Sequence, residues 1–284
     1  MRPAFVSARR ARPLLGTFVE ITAEGASHFD LADAIDGAFQ AVADVHRLMS
    51  PHEPESDVSR LNREASARAV SVHPWTYEVL RMAVELHEAS GGVFDVTVPT
   101  HEKGVRAVEV LAGHRARLGR REARIDLGGI AKGFAVDRAV DCLRDHGVPQ
   151  GVVNAGGDLG AFGPEPHRVH IRDPRDPRVV LCHVELRNEA LASSGGAFDP
   201  FQSSDAGVTG VIDPRTRTAA RGVQGATVRA PSCVLADALT KIVMVLGESA
   251  ASLLARYGAS ALFVSAQGTI QVTGDWYGDV SAAP

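Results

Sequence analysis

The order of strand-like and helix-like patterns is the feature that most restricts how this chain can fold. Residues 15–22 read as a first strand, and apolar side chains then recur at helical spacing across residues 29–49. A second amphipathic helix is predicted for residues 75–89, where the Gly91-Gly92 pair ends it. Strands and helices continue without strict β-α-β alternation. This order favours an α+β fold, with mixed or antiparallel sheets and packed helices, over a doubly wound parallel sheet.

The rest of the chain predicts further elements of both kinds. Polar residues 50–62 predict a loop that leads into a short turn, and residues 94–98 predict a short strand. The other predicted elements are helices at 134–146, 235–246 and 250–257, paired strands at 169–171 with 179–186 and at 191–194 with 207–212, a strand, glycine turn and strand at 152–163, a strand at 226–230, and a closing hairpin at 261–272. No break in composition marks a linker, so one domain is predicted across residues 1–284.

Composition excludes several classes of protein. The 284 residues are 45% hydrophobic and carry a formal net charge of −4, so neither nucleic acid nor an anionic membrane is predicted as a partner. The N-terminus lacks the apolar core of a signal peptide and no later run approaches the length of a membrane span, which predicts a cytoplasmic protein. Cys142, Cys182 and Cys233 form no CxxC pair and are predicted to be reduced, buried and inert.

The stretch IDLGGIAKGFAVD, residues 125–137, places an acid, two glycines and a lysine between a predicted strand and a predicted helix. It is neither the nucleotide P-loop nor GxGxxG. Glycines let main-chain amides approach an anion closely, the helix offers its positive end, and Lys132 adds a full charge, so a phosphate site is one interpretation. Asp126 could accept a hydrogen bond from a ligand or help to hold a cation. A tight turn with a solvated lysine is the other interpretation, and the residues alone leave both open.

Three further stretches allow a functional and a structural interpretation. NAGGDLGAFG, residues 154–163, fits either a close approach to a ligand or a hairpin bulge. The hydroxyls and amides of SSGG, residues 193–196, could bind an oxyanion, although the absence of GxSxG argues against a hydrolase. Asp237 is predicted near a helix start, where it could hold a hard cation, benefit from the helix dipole, or pair with Lys241 four residues on.

Taken in order, these motifs resemble the FAD:protein FMN transferase family over nearly the whole chain. The matching stretches are LLGTFVEI, SPHEPESDVSRLN, GGVFDVTV, DLGGIAKGFAVD, NAGGD, ASSGG, VIDPRT and ADALTK. The resemblance implies a T-fold-like α+β architecture with FAD in a cleft and Mg²⁺ on its pyrophosphate. It also implies transfer of the FMN half of FAD to a Thr or Ser hydroxyl of a target flavoprotein, with release of AMP.

The resemblance also assigns residues to the site. By family position, the flavin nucleotide would contact Leu15, His52, Phe94, Asp95, Asp126, Lys132 and Val211. The metal would be held by the carbonyl oxygen of Gly129 and by the carboxylate of Asp237.

Two departures from the family pattern bear on activity. Gly210 stands where the family has the histidine thought to activate the acceptor hydroxyl, and Lys241 stands where it has a metal-binding threonine. The first hypothesis is a working transferase whose base comes from elsewhere, for example His101 or Asp205. The second is a catalytically degenerate FAD-binding protein in which Lys241 supplies the charge and Mg²⁺ is in doubt. A third, weaker hypothesis is a cleft for another adenylate-containing ligand.

Overall fold

The computed structural model describes residues 6–97, 108–195 and 210–276, and it confirms the α+β class. Its main element is an eight-stranded antiparallel sheet in the order β1-β2-β6-β7-β10-β13-β14-β15. These strands are β1 Val6–Leu14, β2 Thr17–Gly25, β6 Gln150–Ala155, β7 Asp158–Phe162, β10 Glu189–Gly195, β13 Val223–Ala230, β14 Ser260–Ser265 and β15 Ile270–Val272.

The strand pattern explains why β2 was predicted and β1 was not. In β2, Val19, Ile21 and Ala23 alternate with more exposed residues and are fully buried, which is the period-two signature of a half-buried strand. β1 contains SARRAR and is mostly exposed along its length. It forms the edge of the sheet, where charged side chains discourage pairing with another chain.

Helices cover one face of the main sheet. They are α1 His28–Met49, α2 Asp57–Glu64, α3 Pro74–Ala89, α4 Ala131–Asp145, α5 Cys233–Leu246 and α6 Ala251–Arg256, and a 3-10 turn, Gly247–Ala250, joins the last two. α2 falls where a polar loop was predicted. The Ser56 hydroxyl caps it by accepting from the Ser59 amide, so local capping forms a helix from a largely polar sequence.

Smaller sheets complete the fold. They are β3 Val70–Ser71, β5 Arg115–Leu118 and β4 Val108–Leu111 in one sheet, β8 His167–Arg172 with β9 Val180–Leu186, and β11 Ile212–Asp213 with β12 Thr218–Ala219. The pairing predicted for residues 191–194 with 207–212 is not present among the described residues. β10 pairs with β7 and β13, Ile212 pairs with Ala219, and residues 207–209 lie outside the described part. The strand predicted at residues 94–98 is reduced to one bridge, Thr97 with Ile125.

Two hydrophobic cores lie on opposite faces of the main sheet. The larger lies under the helices, and the smaller lies between the sheet and the β8–β9 ribbon. α5 packs on β10 and β13 and crosses α4, so it belongs to the larger core. By length and composition alone the stretch Cys233–Arg256 could cross a membrane, contrary to the sequence expectation that no run approaches that length. Its first helix nevertheless lies largely buried among the protein's own elements.

Candidate functional site

The cleft lined by residues of the GGVFDVTV, DLGGIAKGFAVD, VIDPRT and ADALTK stretches has a volume of about 540 Å³. Its walls come from three segments that are far apart in the sequence, and Lys241 on α5 closes it. The lining residues are Val93, Phe94, Asp95, Val96, Thr97, Asp126, Gly128, Gly129, Gly210, Val211, Ile212, Pro214 and Lys241. Five of the nine residues predicted for ligand and metal therefore face one space: Phe94, Asp95, Asp126, Gly129 and Val211.

The glycine loop is fixed from behind by Asn62. Its side-chain amide donates to the Ile125 carbonyl oxygen at 3.0 Å, and its oxygen accepts from the Ile125 amide at 2.8 Å. Asn62 ends the SRLN stretch, and no local pattern connects it with Ile125. One carboxylate oxygen of Asp126 accepts from the Gly128 amide at 2.8 Å. The loop therefore uses this amide to hold Asp126, so the amide of Gly128 does not face a phosphate in this arrangement.

The opposite wall is the segment that carries Phe94 and Asp95. The Phe94 amide donates to the Ser90 hydroxyl at 2.9 Å, and His87 Nδ1 lies 3.0 Å from the Phe94 carbonyl oxygen. Asp95 Oδ1 accepts from both the amide and the hydroxyl of Thr97, at 2.8 and 2.7 Å. These contacts fix the wall with local bonds, which explains how it keeps its shape without being a strand.

Lys241 forms the floor of the cleft, and its three ammonium hydrogens face three oxygens. Nζ lies 2.5 Å from Asp237 Oδ1, 3.1 Å from the Ser194 hydroxyl and 3.1 Å from the Thr240 hydroxyl. The pairing of Asp237 with Lys241 is the alternative that the i,i+4 spacing suggested. Asp237 itself is fully buried. It lies one turn inside α5, because the helix begins at Cys233 rather than near Ala236 as predicted.

The crossing of α4 and α5 holds Asp237 in place. The Gly133 amide donates to Asp237 Oδ2 at 3.0 Å. A Cβ on Gly133 would lie 2.2 Å from the Cys233 carbonyl oxygen, so only glycine permits this approach. The carboxylate of Asp137, on α4, accepts from the Cys233 and Val234 amides at 2.8 Å each and so caps α5. Burial raises the pKa of Asp137 to about 6, although these two bonds act in the other direction.

A second buried ion pair lies next to the first. Lys132 Nζ is 2.7 Å from Asp158 Oδ2, and Lys132 is absent from the cleft lining although it was predicted as a phosphate ligand. Burial raises the pKa of Asp158 to about 6, helped by the charge of Asp237, and its Oδ1 has no partner among the described residues. Burial alone would lower the pKa of Lys132, but Asp158 and Asp237 outweigh it and raise that pKa. Burial alone would raise the pKa of Asp237, but Lys241 and Lys132 outweigh it and lower that pKa.

The remaining predicted residues lie away from this cleft or outside the described part. Leu15 adopts a left-handed conformation with φ of 56° and packs against the larger core. His52 is exposed, and its amide donates to the Ser50 hydroxyl. Neither lines the cleft. His101 and Asp205, named as alternative bases, lie outside the described residues.

The residues present do not fit a Mg²⁺ ion at Asp237. One oxygen of this carboxylate faces Lys241 and the other faces the Gly133 amide. Mg²⁺ binds oxygen at about 2.0–2.1 Å, and the ammonium nitrogen already lies 2.5 Å from Oδ1. A doubly charged ion about 4 Å from an ammonium would be repelled by about 8 kcal/mol at an effective dielectric constant of about 20. The prediction of Asp237 as a metal ligand is therefore not supported by its contacts.

A larger cavity, of about 870 Å³, lies between the β8–β9 ribbon and the main sheet. Ser194 lines it and also contacts Lys241, so the two spaces meet at this serine. The larger cavity contains none of the nine predicted ligand and metal residues, whereas the smaller cleft contains five. The larger cavity is lined instead by Asn154, Gly156, Gly157 and Ser193 of the NAGGD and ASSGG stretches. The number of predicted ligand and metal residues therefore favours the smaller cleft as the functional site.

Comparisons with known proteins agree with this arrangement. The model of the ApbE family matches residues 15–263. A FAD:protein FMN transferase from Vibrio cholerae is 30% identical over 236 residues, 72% of this chain and 71% of the relative. One from Rhodobacter capsulatus is 30% identical over 83% of this chain, which spans 50% of that relative's length. The crystal structure of the ApbE protein from Thermotoga maritima has a TM-score of 0.82 at 26% identity, covering 94% of this chain and 96% of that one. The chain belongs to the ApbE family.

Proposed function

We propose that this protein binds FAD in the cleft and transfers its FMN half to a Thr or Ser hydroxyl of a partner flavoprotein, with release of AMP. The observation that carries the proposal is that Phe94, Asp126, Gly129 and Val211, from three separate family motifs, line one space. Its volume of about 540 Å³ lies within the usual range of about 300–1,000 Å³ for small-molecule sites. The names of the curated relatives support the same reaction.

The lining residues offer complementary contacts to a flavin dinucleotide. Phe94 and Val211 provide apolar surface for a ring. Asp126 is exposed and is held by the Gly128 amide, so its carboxylate is positioned to accept from a ribose hydroxyl or a ring N–H. Gly129 adds no side chain, which leaves room for phosphates beside Lys241. Phosphoryl transfer depends chiefly on such positioning and on charge.

Residue 210 is the position that argues against transferase activity. A glycine cannot take the proton of the acceptor hydroxyl, and general-base catalysis typically contributes about 10²–10⁴ in rate. Among the described residues, a Cβ placed at Gly210 would meet nothing within 4 Å. We therefore keep a second candidate function, a FAD-binding protein that does not transfer FMN. It is favoured by Gly210 together with the contact of Lys241 with Asp237.

Intact-mass spectrometry separates the two functions. The protein is incubated with FAD and a quinone-reductase-type flavoprotein subunit, with and without Mg²⁺. A mass gain of one FMN on the subunit, with AMP in solution, supports the transferase. FAD binding in a fluorescence titration without any mass gain supports the second candidate.

Failure to bind FAD under any condition would reject both functions. A thermal-shift screen of other adenylate-containing ligands would then test the third hypothesis, since a ligand stabilises the folded state in proportion to its occupancy. The cytoplasmic location stays a prediction from the sequence.

A further inference from the structure

We infer that this protein binds its flavin dinucleotide without a divalent cation, with the ammonium group of Lys241 in the place of the metal. The inference rests on the proposed binding of FAD in the cleft and concerns how the phosphates are held there. It sets this chain apart from the metal dependence that the family resemblance implies.

The position of Lys241 is determined by contacts along its whole length. Its Cγ and Cε lie 3.6 Å from the point where a Cβ of Gly129 would stand, so the stem packs against the glycine loop. Its ammonium group contacts Asp237, Ser194 and Thr240. The Ser194 and Thr240 hydroxyls lie 2.8 Å apart, and the Thr240 hydroxyl also donates to the Asp237 carbonyl oxygen. A side chain held this way does not swing aside to admit an ion without breaking several bonds.

Asp237 is also held by hydrogen bonds within the protein. It is fully buried, and each of its carboxylate oxygens has a hydrogen-bond donor within the protein: Lys241 for Oδ1 and Gly133 for Oδ2. Buried carboxylates are stable when they are paired and hydrogen-bonded in this way. Among the described residues, no group of three or more His, Cys, Asp or Glu side chains could hold a metal ion.

The charges explain what the substitution does to a ligand. The formal charges of Lys241 and Asp237 sum to zero, and so do those of Lys132 and Asp158. A divalent ion bound to Asp237 would instead leave a net charge of plus one. The exposed part of Lys241 lines the cleft, so it attracts phosphate as a fixed point charge. It cannot bridge two phosphate oxygens as an ion does. Binding should therefore depend on ionic strength and be indifferent to Mg²⁺.

Two measurements on the full chain test this inference. Calorimetric titration with FAD is run in EDTA and in Mg²⁺, and binding of Mn²⁺ to the ligand-free protein is followed by electron paramagnetic resonance. We expect the FAD dissociation constant to agree within about threefold in the two buffers. We expect no stoichiometric Mn²⁺ binding by the ligand-free protein.

The Lys241→Thr variant should reverse both results, because it frees Asp237 Oδ1 and supplies a hydroxyl. It should bind Mn²⁺, and its FAD affinity should be at least about tenfold higher in Mg²⁺ than in EDTA. Ser193→Ala is the matched control: the Ser193 hydroxyl lies 2.9 Å from the Thr227 hydroxyl, away from the lysine, so this variant should behave as the wild type.

Stoichiometric Mn²⁺ binding by the wild type, or a loss of FAD affinity of about tenfold or more in EDTA, would overturn the inference. Both measurements use the wild type, so they decide the question even if Lys241→Thr fails to fold. Absence of FAD binding in every buffer would instead refute the proposed function, and the Mn²⁺ measurement would still test the place of Lys241.

Discussion

Replacing Gly133 with alanine should destabilise the protein strongly, because the two helices that hold Asp237 meet at this residue. The added Cβ would lie 2.2 Å from the Cys233 carbonyl oxygen, 2.6 Å from its carbonyl carbon and 2.8 Å from the Asp237 Cβ. Two of these atoms are backbone, so no side-chain rotation relieves the overlap. α4 and α5 must separate instead.

The expected cost follows from three contributions. Overpacking of a core typically costs about 1–3 kcal/mol. Separation of the helices also weakens the bond from Gly133 to Asp237 and the two bonds by which Asp137 caps α5, at about 1 kcal/mol each. Alanine favours the helix over glycine by about 1 kcal/mol, which offsets part of the loss. A net decrease of about 3–5 kcal/mol in the free energy of unfolding is therefore expected.

Urea denaturation followed by circular dichroism measures this change, and a fall in Tm of at least about 4 °C should accompany it. Gly222→Ala is the control, since a Cβ at Gly222 would meet nothing within 4 Å, and its stability should stay within about 0.5 kcal/mol of the wild type. A Gly133→Ala protein as stable as the control would show that the helices do not approach as closely as described.

Two further predictions concern the α5 cap and the acceptor side of the cleft. Asp137→Asn should destabilise the protein by about 1 kcal/mol, because an amide has one oxygen for two backbone donors. The pKa of Asp137 is raised from 3.8 to about 6 in the folded protein, so its contribution to stability is complete below about pH 3.8 and is lost as the pH rises through 6. The difference in free energy of unfolding between the wild type and the variant should therefore narrow from pH 4 to pH 7 in urea titrations. A difference that widens over this range would contradict the reasoning. Gly210→His should accelerate FMN transfer by about 10²–10⁴ in a time course of target mass, whereas Gly210→Ala should not; equal rates for the two variants would exclude residue 210 from proton transfer.

Much of the site could be predicted because the motifs are short and local. The acid and glycines of residues 126–129 directly precede a helix whose pattern is clear, which made a ligand site one of two interpretations, and the structure places them in the cleft lining. The pairing of Asp237 with Lys241 follows from helical spacing alone. Phe94 and Val211 were predicted in the same site from the family resemblance alone, and both line the cleft.

The contacts that could not be predicted are those between distant elements. The partner of Lys132 is Asp158, and that pairing requires β7 to lie beneath α4, which no local pattern states. Asn62 reaches Ile125 across 63 positions for the same reason. β1 was missed because its arginines suit an exposed edge and resemble a solvated tail in sequence.

The junction of α4 with α5 has a consequence for how this cleft can change over evolution. Gly133 and Asp137, on α4, hold the first turns of α5 through hydrogen bonds. Asp237 and Lys241 are side chains of α5, so the same contacts fix their positions. Selection acting on ligand preference would disturb overall stability if it altered this junction. Divergence among relatives should therefore be slower at Gly133, Asp137 and Asp237 than at exposed positions that make no such contacts.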